Sequence, residues 1–502
     1  MVVRHAVNGA LTPPDGKAVV ASAQDSTPLL REYQQIGTTW LAGTLRRLRE
    51  VTPRVGPVAL LLGDDPGLGK SAQALAAGTI LGSRRWLILA PAMGRFHWPP
   101  EIRKFVPYLA PFIRVVRHAD PIPEWLGAPD LIVVVAYDTL GDTKSPWAAA
   151  LAGEQWDLVI VDECHYLKNP SNRTKAVYGS EGKGGGVVAN ATYVILLSGT
   201  PTPNHAGEFW QHYRRFWAHL ITVPVRVGGG RRPLNEPEWQ ERFTRFKETL
   251  FGRQIVGSRN QDQLRDALKP VILRRLKKTV LKDLKPLTLV DRPVMPEDTA
   301  QRQLDTLSKL PRVRDMMRLS DDHLLVALQS QLKIADELPL ATIRRSLGEL
   351  KAPACAEHVR EMLEGGVTKV LIFAWHVSVI LSLSKALADF MPVIISGTSS
   401  DTQRATAVNL FQSSPKHRVF IGNVLAAGTV ITLTAAARVV MVEPSWVPGE
   451  NIQAIARAHR MGQENPVLAE FLFVPGSLDE HIMGAFRRKS AETSQLYDES
   501  IS

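Results

Sequence analysis

Cysteines are scarce in this sequence, and long apolar runs are missing. Two cysteines, Cys164 and Cys355, among 502 residues cannot form a disulfide framework or a structural zinc site, which indicates a reducing compartment. No apolar stretch approaches the roughly 18 residues that span a bilayer, and the first residues lack the apolar core of a secretory signal. We therefore expect no membrane partner and a cytoplasmic, nucleoid-associated protein, or a nuclear one in a eukaryote.

The remaining composition is that of a globular protein. Hydrophobic residues make up 45% and charged residues 22% of the chain, so a sizeable core is available, and the length predicts about three domains or two large ones. The 60 Lys and Arg residues outnumber the 49 Asp and Glu residues, which gives a net charge of +11. This excess favours a polyanionic partner, although net charge also serves solubility alone. The abundance of Arg and Ala is typical of a GC-rich genome, bacterial or phage.

Short apolar runs divide the chain into three parts. Such runs, separated by helical or turn segments, are typical of parallel strands buried on both faces, and they occur on either side of a charged middle with a helical pattern. We predict an α/β protein with a flexible tail at 1–27, a first lobe at 28–225, helical insertions and a linker at 226–346, a second lobe at 347–475, and a closing helix and tail at 476–502. The predicted strands are Val58–Leu62, Trp86–Ala90, Leu131–Tyr137, Asp157–Val161 and Tyr193–Leu197 in the first lobe, and Lys369–Ala374, Pro392–Ser396, Val419–Gly422, Arg438–Val442 and Val467–Phe473 in the second.

The segment LLLGDDPGLGKS at 60–71 has the order of a phosphate-binding loop. An apolar run ends in a glycine-containing turn, and Gly69, Lys70 and Ser71 open a helix whose N-terminal amides and dipole favour anions. Lys70 adds a positive charge and Ser71 can ligate Mg²⁺. The strict pattern has glycine at position 64, where this chain has Asp64, and the alternative is a glycine-rich turn before a helix. The residues predicted to bind the nucleotide here are Asp64, Asp65, Pro66, Gly67, Leu68, Gly69, Lys70 and Ser71.

Two adjacent acids follow an apolar run in DLVIVDECHYLKNP at 157–170. Carboxylates at the carboxyl end of a parallel strand face the ligand crevice, and two of them are costly to bury without a cation. We predict that Asp162 holds Mg²⁺ and that Glu163 orients and deprotonates an attacking water. The alternative is a helix N-terminus, which also favours acids. Cys164 is predicted to be a packed thiol, since no histidine pairing marks it as a nucleophile.

A third segment, QAIARAHRMGQ at 453–463, contains two arginines. Arg457 and Arg460 are three positions apart and would share one face of a helix. Facing a bound triphosphate, two guanidinium groups would stabilise the charge of the transition state. Without an opposing lobe they would form only a solvated basic face.

Taken together, these segments resemble the Swi/Snf-type DNA translocases of helicase superfamily 2, and the second lobe is most similar to the compact annealing-helicase subgroup. The resemblance extends from Leu30 to Gln463 in the family's order and spacing. It implies two tandem RecA-like lobes of a P-loop NTPase with helical insertions between them, and ATP with Mg²⁺ in the cleft where the lobes meet. The segments that carry it are LREYQQIGTTWL (30–41), GDDPGLGKS (63–71), LILAPAMGRFHWPPEIRKF (87–105), VDECH (161–165), LLSGTPTPN (196–204), LKPVILRRLKKTVLKDL (268–284), KVLIFAWH (369–376) and ENIQAIARAHRMGQ (450–463).

The resemblance also implies roles for matched positions. Its catalytic set is Lys70, Asp162, Glu163, Gln453, Arg457 and Arg460, with Ser71 and Asp162 as metal ligands, Gln34 as the adenine-reading glutamine, and Ser198 and Thr200 coupling the ATP and DNA sites. Two positions depart from the family. Ala456 stands where an aspartate is usual and Val430 where a glycine is usual, and both bear on coupling more than on nucleotide binding.

Tracking along a duplex without reading its sequence requires cations and amides aimed at phosphates. The helicase-like loops offer Arg95, His97, Lys168, Asn169 and Arg173 in lobe one and Ser396, Thr398 and Asn423 in lobe two as candidates for DNA contact, although each alone also fits a solvated surface residue. The basic run at 269–285 is predicted to form an amphipathic helix that closes lobe one, with a nuclear-localisation signal as the alternative. Trp98, Trp210 and Trp375 are predicted to pack in the core or between the lobes.

The expected function is ATP hydrolysis coupled to translocation on, or remodelling of, double-stranded or forked DNA in replication, recombination or repair, by a monomer. Three alternatives stay open. The chain could be a strand-separating helicase, or the motor of a restriction system, against which the lack of an evident nuclease domain argues. It could also be a catalytically weak ATP-binding scaffold on DNA, for which Ala456 and Val430 are the support.

Overall fold

The structure, a computed structural model, describes residues 30–51, 56–92, 94–180, 185–202, 205–225, 230–249, 252–294, 340–424, 431–445, 448–477, 479–480, 483–484 and 487. The predicted tail at 1–27 and Val430 lie outside these residues, as does most of the segment 476–502. Within the described parts, the structure contains no helix with both the length and the apolar character needed to cross a membrane.

Strands and helices alternate along most of the described chain. The strands are β1 (Val58–Leu62), β2 (Arg85–Ala90), β3 (Ile113–Val115), β4 (Leu131–Ala136), β5 (Trp156–Val161), β6 (Ala191–Leu197), β7 (Thr222–Pro224), β8 (Arg231–Pro233), β9 (Thr244–Thr249), β10 (Gly252–Ser258), β11 (Ile272–Leu273), β12 (Leu287–Pro293), β13 (Val370–Ala374), β14 (Val393–Ile395), β15 (Val419–Asn423), β16 (Arg438–Met441) and β17 (Val467–Phe473). The α-helices are α1 (Glu32–Val51), α2 (Lys70–Ile80), α3 (Gly94–Phe105), α4 (Tyr137–Gly141), α5 (Trp147–Gly153), α6 (Asn172–Tyr178), α7 (Trp210–His212), α8 (Glu236–Phe243), α9 (Gln261–Leu268), α10 (Lys277–Val280), α11 (Leu340–Glu364), α12 (Val377–Ala386), α13 (Asp401–Ser413) and α14 (Pro448–Ile455).

Lobe one is built on a seven-stranded sheet with the order β11–β1–β6–β5–β2–β4–β3. All neighbouring strands in it are parallel. Every residue of β1 and of β4 is buried, as expected for apolar runs that are covered on both faces. The five strands predicted for this lobe are all present. Two further strands at its edges, β3 and β11, are too short for the sequence pattern to show.

Lobe two is built on a six-stranded parallel sheet with the order β12–β17–β16–β13–β15–β14. Side chains that alternate along its strands form two separate cores, since Val370 and Ile372 belong to one hydrophobic cluster and Leu371 and Phe373 to the other. This alternation is what a sheet with helices on both faces requires. The five strands predicted for this lobe are present, and the α/β fold is confirmed.

The helical pattern predicted for the middle holds only in part for its described residues, because α8, α9 and α10 lie there together with several strands. Within 226–346 the chain forms β8, the antiparallel hairpin of β9 and β10, and the strands β11 and β12. The run TRFKET of β9 follows directly on α8, and its alternating pattern is that of a strand with one exposed face. β11 pairs with β1 of lobe one and β12 pairs with β17 of lobe two, so the two sheets receive strands from this segment.

The predicted long helix at 269–285 is also wrong. Only Lys277–Val280 is helical, because Ile272 and Leu273 pair with β1 and Pro270 has no backbone N–H to donate within a helix. By contrast, the prediction for two tryptophans is confirmed, since Trp98 and Trp210 are buried in lobe one. Trp375 is half-buried against the core of lobe two, with the Arg344 guanidinium 4.4 Å from its ring centre.

Candidate active site in the interlobe cleft

A cavity of about 650 Å³ lies between the two lobes. Its wall in lobe one consists mainly of the segments after β1, β2, β4 and β5, at the carboxyl edge of the first sheet, where parallel sheets bind ligands. Its wall in lobe two consists of α14 and the turns that follow it. Seven of the residues predicted as catalytic or metal-binding line this single cavity, namely Lys70, Ser71, Asp162 and Glu163 from lobe one and Gln453, Arg457 and Arg460 from lobe two.

The loop between β1 and α2 forms a cradle for an anion. Gly67 and Gly69 have φ angles of 91° and 72°, in the left-handed region that favours glycine. This conformation brings the loop to the N-terminus of α2, whose free amides and dipole attract phosphate. The Lys70 ammonium donates to the Asp64 carbonyl oxygen at 2.8 Å and lines the cavity together with Ser71.

Three residues of the predicted loop turn their side chains away from the cavity. Asp64 is fully buried, and its carboxylate accepts from Arg275 Nε at 3.0 Å and from Gln73 Nε2 at 3.1 Å. Asp65 is bound by the backbone N–H of Lys277 at 2.9 Å, and Leu68 is fully buried in a small hydrophobic cluster. These three residues therefore support the loop from its far side, and their side chains do not line the cavity.

Gln34, expected to read adenine, lies behind the same loop. Its side-chain oxygen accepts from the backbone N–H of Arg31 at 3.0 Å, and its amide nitrogen donates to the Leu68 carbonyl at 3.2 Å. The glutamine thus joins α1 to the loop, and it is buried. Its contact with a base stays a prediction.

Asp162 lies deep in the cleft at the end of β5. Trp98 Nε1 donates to its Oδ2 at 2.9 Å, and the Tyr137 hydroxyl donates to its backbone carbonyl. Burial and the adjacent Glu163 carboxylate raise the pKa of Asp162 to about 7, against the opposing effects of the Trp98 hydrogen bond and Lys70. Such a carboxylate gains most from a divalent cation, which would favour its ionised form.

Glu163 has an unusual backbone conformation, with φ at 46°. This left-handed geometry in a residue with a side chain stores strain of the kind found at functional sites. Burial alone would raise the pKa of Glu163, but His165, Lys70 and Arg457 together lower it. The carboxylate is therefore held ionised and can accept a proton from a water in the cleft.

A chain of contacts links Glu163 to lobe two. His165 Nδ1 lies 3.2 Å from Glu163 Oε2, an ion-pair distance, and 3.0 Å from Ser198 Oγ in hydrogen-bonding geometry. Ser198 Oγ in turn accepts from the Thr200 backbone N–H at 3.1 Å. A Cβ added to Gly449, at the start of α14, would meet Thr200 Cγ2 at 2.8 Å. The pair predicted to couple the two sites thus connects the acid of lobe one to a helix of lobe two.

Arg457 and Arg460 do not lie on a helix as predicted. α14 ends at Ile455, and both arginines occupy the turns that follow, which we call the arginine turn (456–460). Both nevertheless line the cleft. Burial and the charge of Arg460 lower the pKa of Arg457 to about 10, although Glu163 opposes this. Two partly desolvated guanidinium groups, of which Arg460 disfavours the charged form of Arg457, favour the binding of an anion.

Two residues expected to contact DNA line the same cleft. His97 Nε2 lies 3.4 Å from Ser71 Oγ, and burial with the charges of Arg457 and Arg460 lowers the pKa of His97 to about 4. A neutral imidazole beside Ser71 suits a hydrogen bond better than an ionic contact with a DNA phosphate. Arg173 also lines the cleft, with its guanidinium 3.9 Å from Asp138. Both residues line the cleft beside the phosphate-binding loop, and their contact with DNA stays a prediction.

The other candidates in lobe one have partners within the protein. The Arg95 guanidinium donates to the Ala92 carbonyl at 3.0 Å, and the Lys168 ammonium pairs with Glu208 at 2.7 Å. Asn169 is exposed. These three residues stay predictions for DNA contact.

In lobe two the candidates follow β14 and end β15. The hydroxyls of Ser396 and Thr398 lie 3.0 Å apart on the turn before α13, and Asn423 donates to the Trp375 carbonyl at 2.6 Å. The turn is held by Arg404, which donates to the Ser396 carbonyl at 3.1 Å. Ser396 and Thr398 present hydroxyls, the groups that contact phosphates in many DNA complexes.

The donors in the cleft fit Mg²⁺ held jointly with a nucleotide. Among the described residues, no group of three or more His, Cys, Asp or Glu side chains could hold a metal ion alone. Mg²⁺ in nucleotide sites is usually bound by one or two protein oxygens together with phosphates and waters. Asp162 and Ser71 supply one carboxylate and one hydroxyl facing the same cavity.

Sequence reasoning missed three functional candidates next to the phosphate-binding loop. Arg274, Arg275 and Lys277 belong to the run predicted as an amphipathic helix that closes lobe one, without a role at the nucleotide site. Arg275 and Lys277 are each 8% exposed, and both contact the loop. The available signal was the position of four cations within RRLKK, directly after a buried strand. Cys164 was predicted correctly as a packed thiol. It is buried, and its burial raises its pKa well above the ordinary value.

Comparison with protein families and known proteins agrees with this architecture. The SNF2-related domain matches residues 33–302 and the helicase conserved C-terminal domain matches residues 354–462. The DNA annealing helicase and endonuclease ZRANB3 of Homo sapiens is 28% identical over 442 residues, which are 86% of this chain and 38% of the relative. The SWI/SNF-related matrix-associated actin-dependent regulator of chromatin subfamily A-like protein 1 of Xenopus tropicalis is 28% identical over 440 residues, which are 86% of this chain and 42% of the relative.

The chain therefore spans about two fifths of the length of these curated relatives. Among solved structures, the Sulfolobus solfataricus SWI2/SNF2 ATPase core in complex with dsDNA is 22% identical, covers 94% of both chains and has a TM-score of 0.40. The SNF2-related domain alone accounts for more than half of the 502 residues, and the C-terminal helicase domain follows it in the second lobe. This protein thus belongs to the SNF2-related family of helicase-type ATPases, as its motifs predicted, and the annealing-helicase relatives fit the subgroup that the second lobe resembles.

Proposed function

We propose that this protein is a DNA-dependent ATP hydrolase that couples hydrolysis to translocation on, or remodelling of, double-stranded DNA. One observation carries the proposal. A single cleft brings the phosphate-binding loop and two carboxylates of one lobe against two arginines of the other. Phosphoryl transfer is catalysed mostly by positioning and electrostatic stabilisation. It therefore requires carboxylates that hold a metal ion and a water, and cations that face the phosphates from the other lobe.

Each cleft residue has a distinct task in this reaction. The loop amides and Lys70 bind the β- and γ-phosphates, and Ser71 with Asp162 would hold Mg²⁺, which neutralises phosphate charge. Glu163 orients a water for in-line attack and accepts its proton. Arg457 and Arg460 stabilise the charge that develops on the transferred phosphoryl group, as arginine fingers do.

Coupling to DNA would pass through the contacts between the lobes. The path from Glu163 through His165 and Ser198 to Thr200 ends on Gly449, at the start of the helix that leads to the arginine turn. A change in the angle between the lobes would therefore move Arg457 relative to Glu163. DNA bound across Ser396 and Thr398 in lobe two and Lys168 in lobe one would favour the closed arrangement.

The substrate DNA is inferred from charge and from relatives. The net charge of +11 favours a polyanion, and the ZRANB3 relative is named a DNA annealing helicase. Duplex or forked DNA, acted on by a monomer in replication, recombination or repair, is the finer form of the proposal. Comparing ATPase stimulation by duplex, single-stranded and forked DNA tests this choice.

The central experiment measures ATP turnover with and without duplex DNA. We expect DNA to raise turnover in the wild type, and Lys70→Ala and Glu163→Gln to lose nearly all of it. Lys385→Ala, which removes an exposed cation at the end of α12 far in sequence from the cleft residues, is the matched control and should keep wild-type turnover. Unchanged turnover in either cleft variant would remove the assigned site.

A strand-separating helicase is the second candidate, because the same cleft would drive it. A displaced-strand assay run beside a triplex-displacement assay distinguishes the two, since a translocase that does not unwind displaces only the third strand. A scaffold without catalysis would bind ATP but release no phosphate on DNA, so DNA-stimulated phosphate release excludes it.

A further inference from the structure

The segment that joins the two sheets is anchored to the phosphate-binding loop. We call residues 274–286 the interlobe segment, since they lead from β11 of lobe one to β12 of lobe two. Arg274 donates to the carbonyls of Gly63 at 3.2 Å and Gly199 at 2.9 Å, and the backbone N–H of Lys277 donates to Asp65 at 2.9 Å. The start of this segment therefore moves with the loop.

The same segment also contacts the arginine turn of lobe two. The Lys277 ammonium donates to the His459 carbonyl oxygen at 2.7 Å, and His459 Nε2 lies 2.8 Å from the Lys285 carbonyl oxygen. His459 lies between Arg457 and Arg460 in sequence. Lys277 thus holds the phosphate-binding loop by its backbone and the arginine turn by its side chain.

The Lys277 ammonium is buried near other positive charges, an environment that disfavours a charged group. The side chain is 8% exposed, and a Cβ added to Gly67 would lie 3.3 Å from its ammonium. Burial, Arg460, Lys70 and Arg457 lower the pKa of Lys277 to about 7, although Asp65 opposes them. A cation buried among other cations costs stability, which is unexpected for a contact that serves the fold alone.

We propose that Lys277 is a positioning residue that fixes the distance between the phosphate-binding loop and the arginine turn. When the loop is loaded with nucleotide, Lys277 holds His459 and thereby directs Arg457 and Arg460 at the phosphates. The residue acts through the turn and contributes little to nucleotide binding itself. This inference rests on the proposed function, because it assigns a role within the same ATPase cycle.

The experiment compares three variants of the full chain. Lys277→Met keeps the length of the side chain but removes the donor and the charge, Lys277→Arg keeps both, and Lys278→Met changes the neighbouring, exposed lysine as the matched control. For each variant we would measure DNA-stimulated kcat and, separately, the Kd for ATP by fluorescence of a labelled nucleotide, with the melting temperature as a check on folding.

We expect kcat of Lys277→Met to fall on the order of ten- to hundredfold, the effect of losing one buried charged hydrogen bond that acts in the transition state. Its Kd for ATP should change by less than about threefold, since ground-state binding is spared. Lys277→Arg should recover part of the lost kcat, and Lys278→Met should behave as the wild type.

Several results would overturn the inference. These are an unchanged kcat in Lys277→Met, a parallel loss of kcat and ATP affinity, a fall in melting temperature that accounts for the lost activity, or equal losses of kcat in Lys277→Arg and Lys277→Met. A wild-type protein without DNA-stimulated hydrolysis would instead remove the proposed function. The two failures are therefore distinguishable from the wild-type measurement alone.

Discussion

At the scale of single residues, the protonation of Asp162 decides when the cleft can hold Mg²⁺. Its pKa of about 7, raised by burial and by Glu163, means that protons compete with the cation for this carboxylate near neutral pH. We predict that Mg²⁺ is bound more tightly with nucleotide at pH 8 than at pH 6. Fluorescence titration with Mg²⁺ at both pH values measures this, and Asp162→Asn should lose the part of the pH dependence that ATP protonation does not explain.

The same raised pKa has a consequence for stability without nucleotide. An aspartate whose pKa is higher in the folded than in the unfolded protein destabilises the fold as pH rises from the unfolded value of 3.8 to about 7. Asp162→Asn removes this penalty. The variant should therefore be inactive yet melt at a higher temperature than the wild type at pH 8, with a smaller difference at pH 5. A lower melting temperature at pH 8 would contradict the assigned environment of Asp162.

Arg457 is the residue predicted to act only in the transition state. Its guanidinium is close enough to Glu163 for each charge to shift the pKa of the other. We expect Arg457→Ala to bind ATP nearly as well as the wild type but to lose on the order of 10³-fold in kcat. Arg345→Ala, which removes an exposed arginine on α11, is the control. A loss of only a few-fold would show that Arg457 is not a finger.

At the scale of elements, the buried pair of Asp64 and Arg275 explains the departure from the phosphate-loop pattern. Arg275 also donates to the Tyr33 carbonyl and to Gln73 Oε1 at 2.6 Å, so it joins α1, α2 and β11 behind the loop. Where the strict pattern has a small glycine, this chain has one partner of a buried ion pair. The loop is therefore held from behind by the segment that follows β11.

This arrangement predicts that restoring the strict pattern is harmful. Asp64→Gly leaves the Arg275 guanidinium buried without its carboxylate, which costs about 3–5 kcal/mol of unfolding free energy. Urea denaturation of the full chain, monitored by tryptophan fluorescence, measures the change in unfolding free energy. Replacing both partners, as in Asp64→Gly with Arg275→Met, should recover most of the loss. A single variant at least as stable as the wild type would show that the pair contributes nothing.

Elements differ in how far the sequence could predict them. The ten strands predicted from sequence are runs rich in buried apolar residues, such as VALLL in β1, and local pattern alone identifies them. β11 has two residues and exists only because β1 offers a free edge in the folded lobe. The end of α14 at Ile455 likewise depends on contacts made after folding, since Leu433 N–H donates to the Arg457 carbonyl at 2.9 Å. Contacts of this kind, between segments distant in sequence, leave no periodic pattern of apolar residues in the sequence.

At the scale of the whole molecule, the two lobes are in close steric contact where Gly449 of lobe two meets Thr200 of lobe one. The contact of Gly449 with Thr200 allows no Cβ, since one would lie 2.8 Å from Thr200 Cγ2. We predict that Gly449→Val holds the cleft open and lowers DNA-stimulated kcat at least about tenfold, because misplaced catalytic groups lose rate steeply. ATPase assays with duplex DNA measure it.

The control for this variant is Gly43→Ala on the exposed side of α1, where a Cβ meets nothing within 4 Å. That change should leave kcat unaltered and stabilise the helix by about 0.5–1 kcal/mol. If Gly449→Val and Gly43→Ala have the same kcat, the contact between lobes does not control closure. Adding Thr200→Ser to Gly449→Val should restore part of the rate if steric exclusion is the cause.

The motif residues of the site in both lobes were predictable from sequence, but the other residues that line the cleft were not. Lys70, Asp162 and Arg457 were identified from motifs, since each motif follows a strand or closes the second lobe in a known order. His97 and Arg173 were predicted to lie on loops, but they lie on α3 and α6, and only the packed structure shows that they face the cleft. Which face of a helix lines a cleft is decided by the packing of distant elements, as with Trp98 and Asp162.

The passage of the chain from β11 to β12 also defines where the molecule could be divided. In the described residues the first sheet ends with Leu273 and the second begins with Leu287, and the exposed turn at Lys282 and Asp283 lies between them. A protein cut at that turn would keep each sheet whole, with Lys277 on one fragment and His459 on the other. Catalysis by two separately produced halves would then depend on their association. If each half carried a tag that dimerises when a small molecule is added, that molecule would switch the ATPase on.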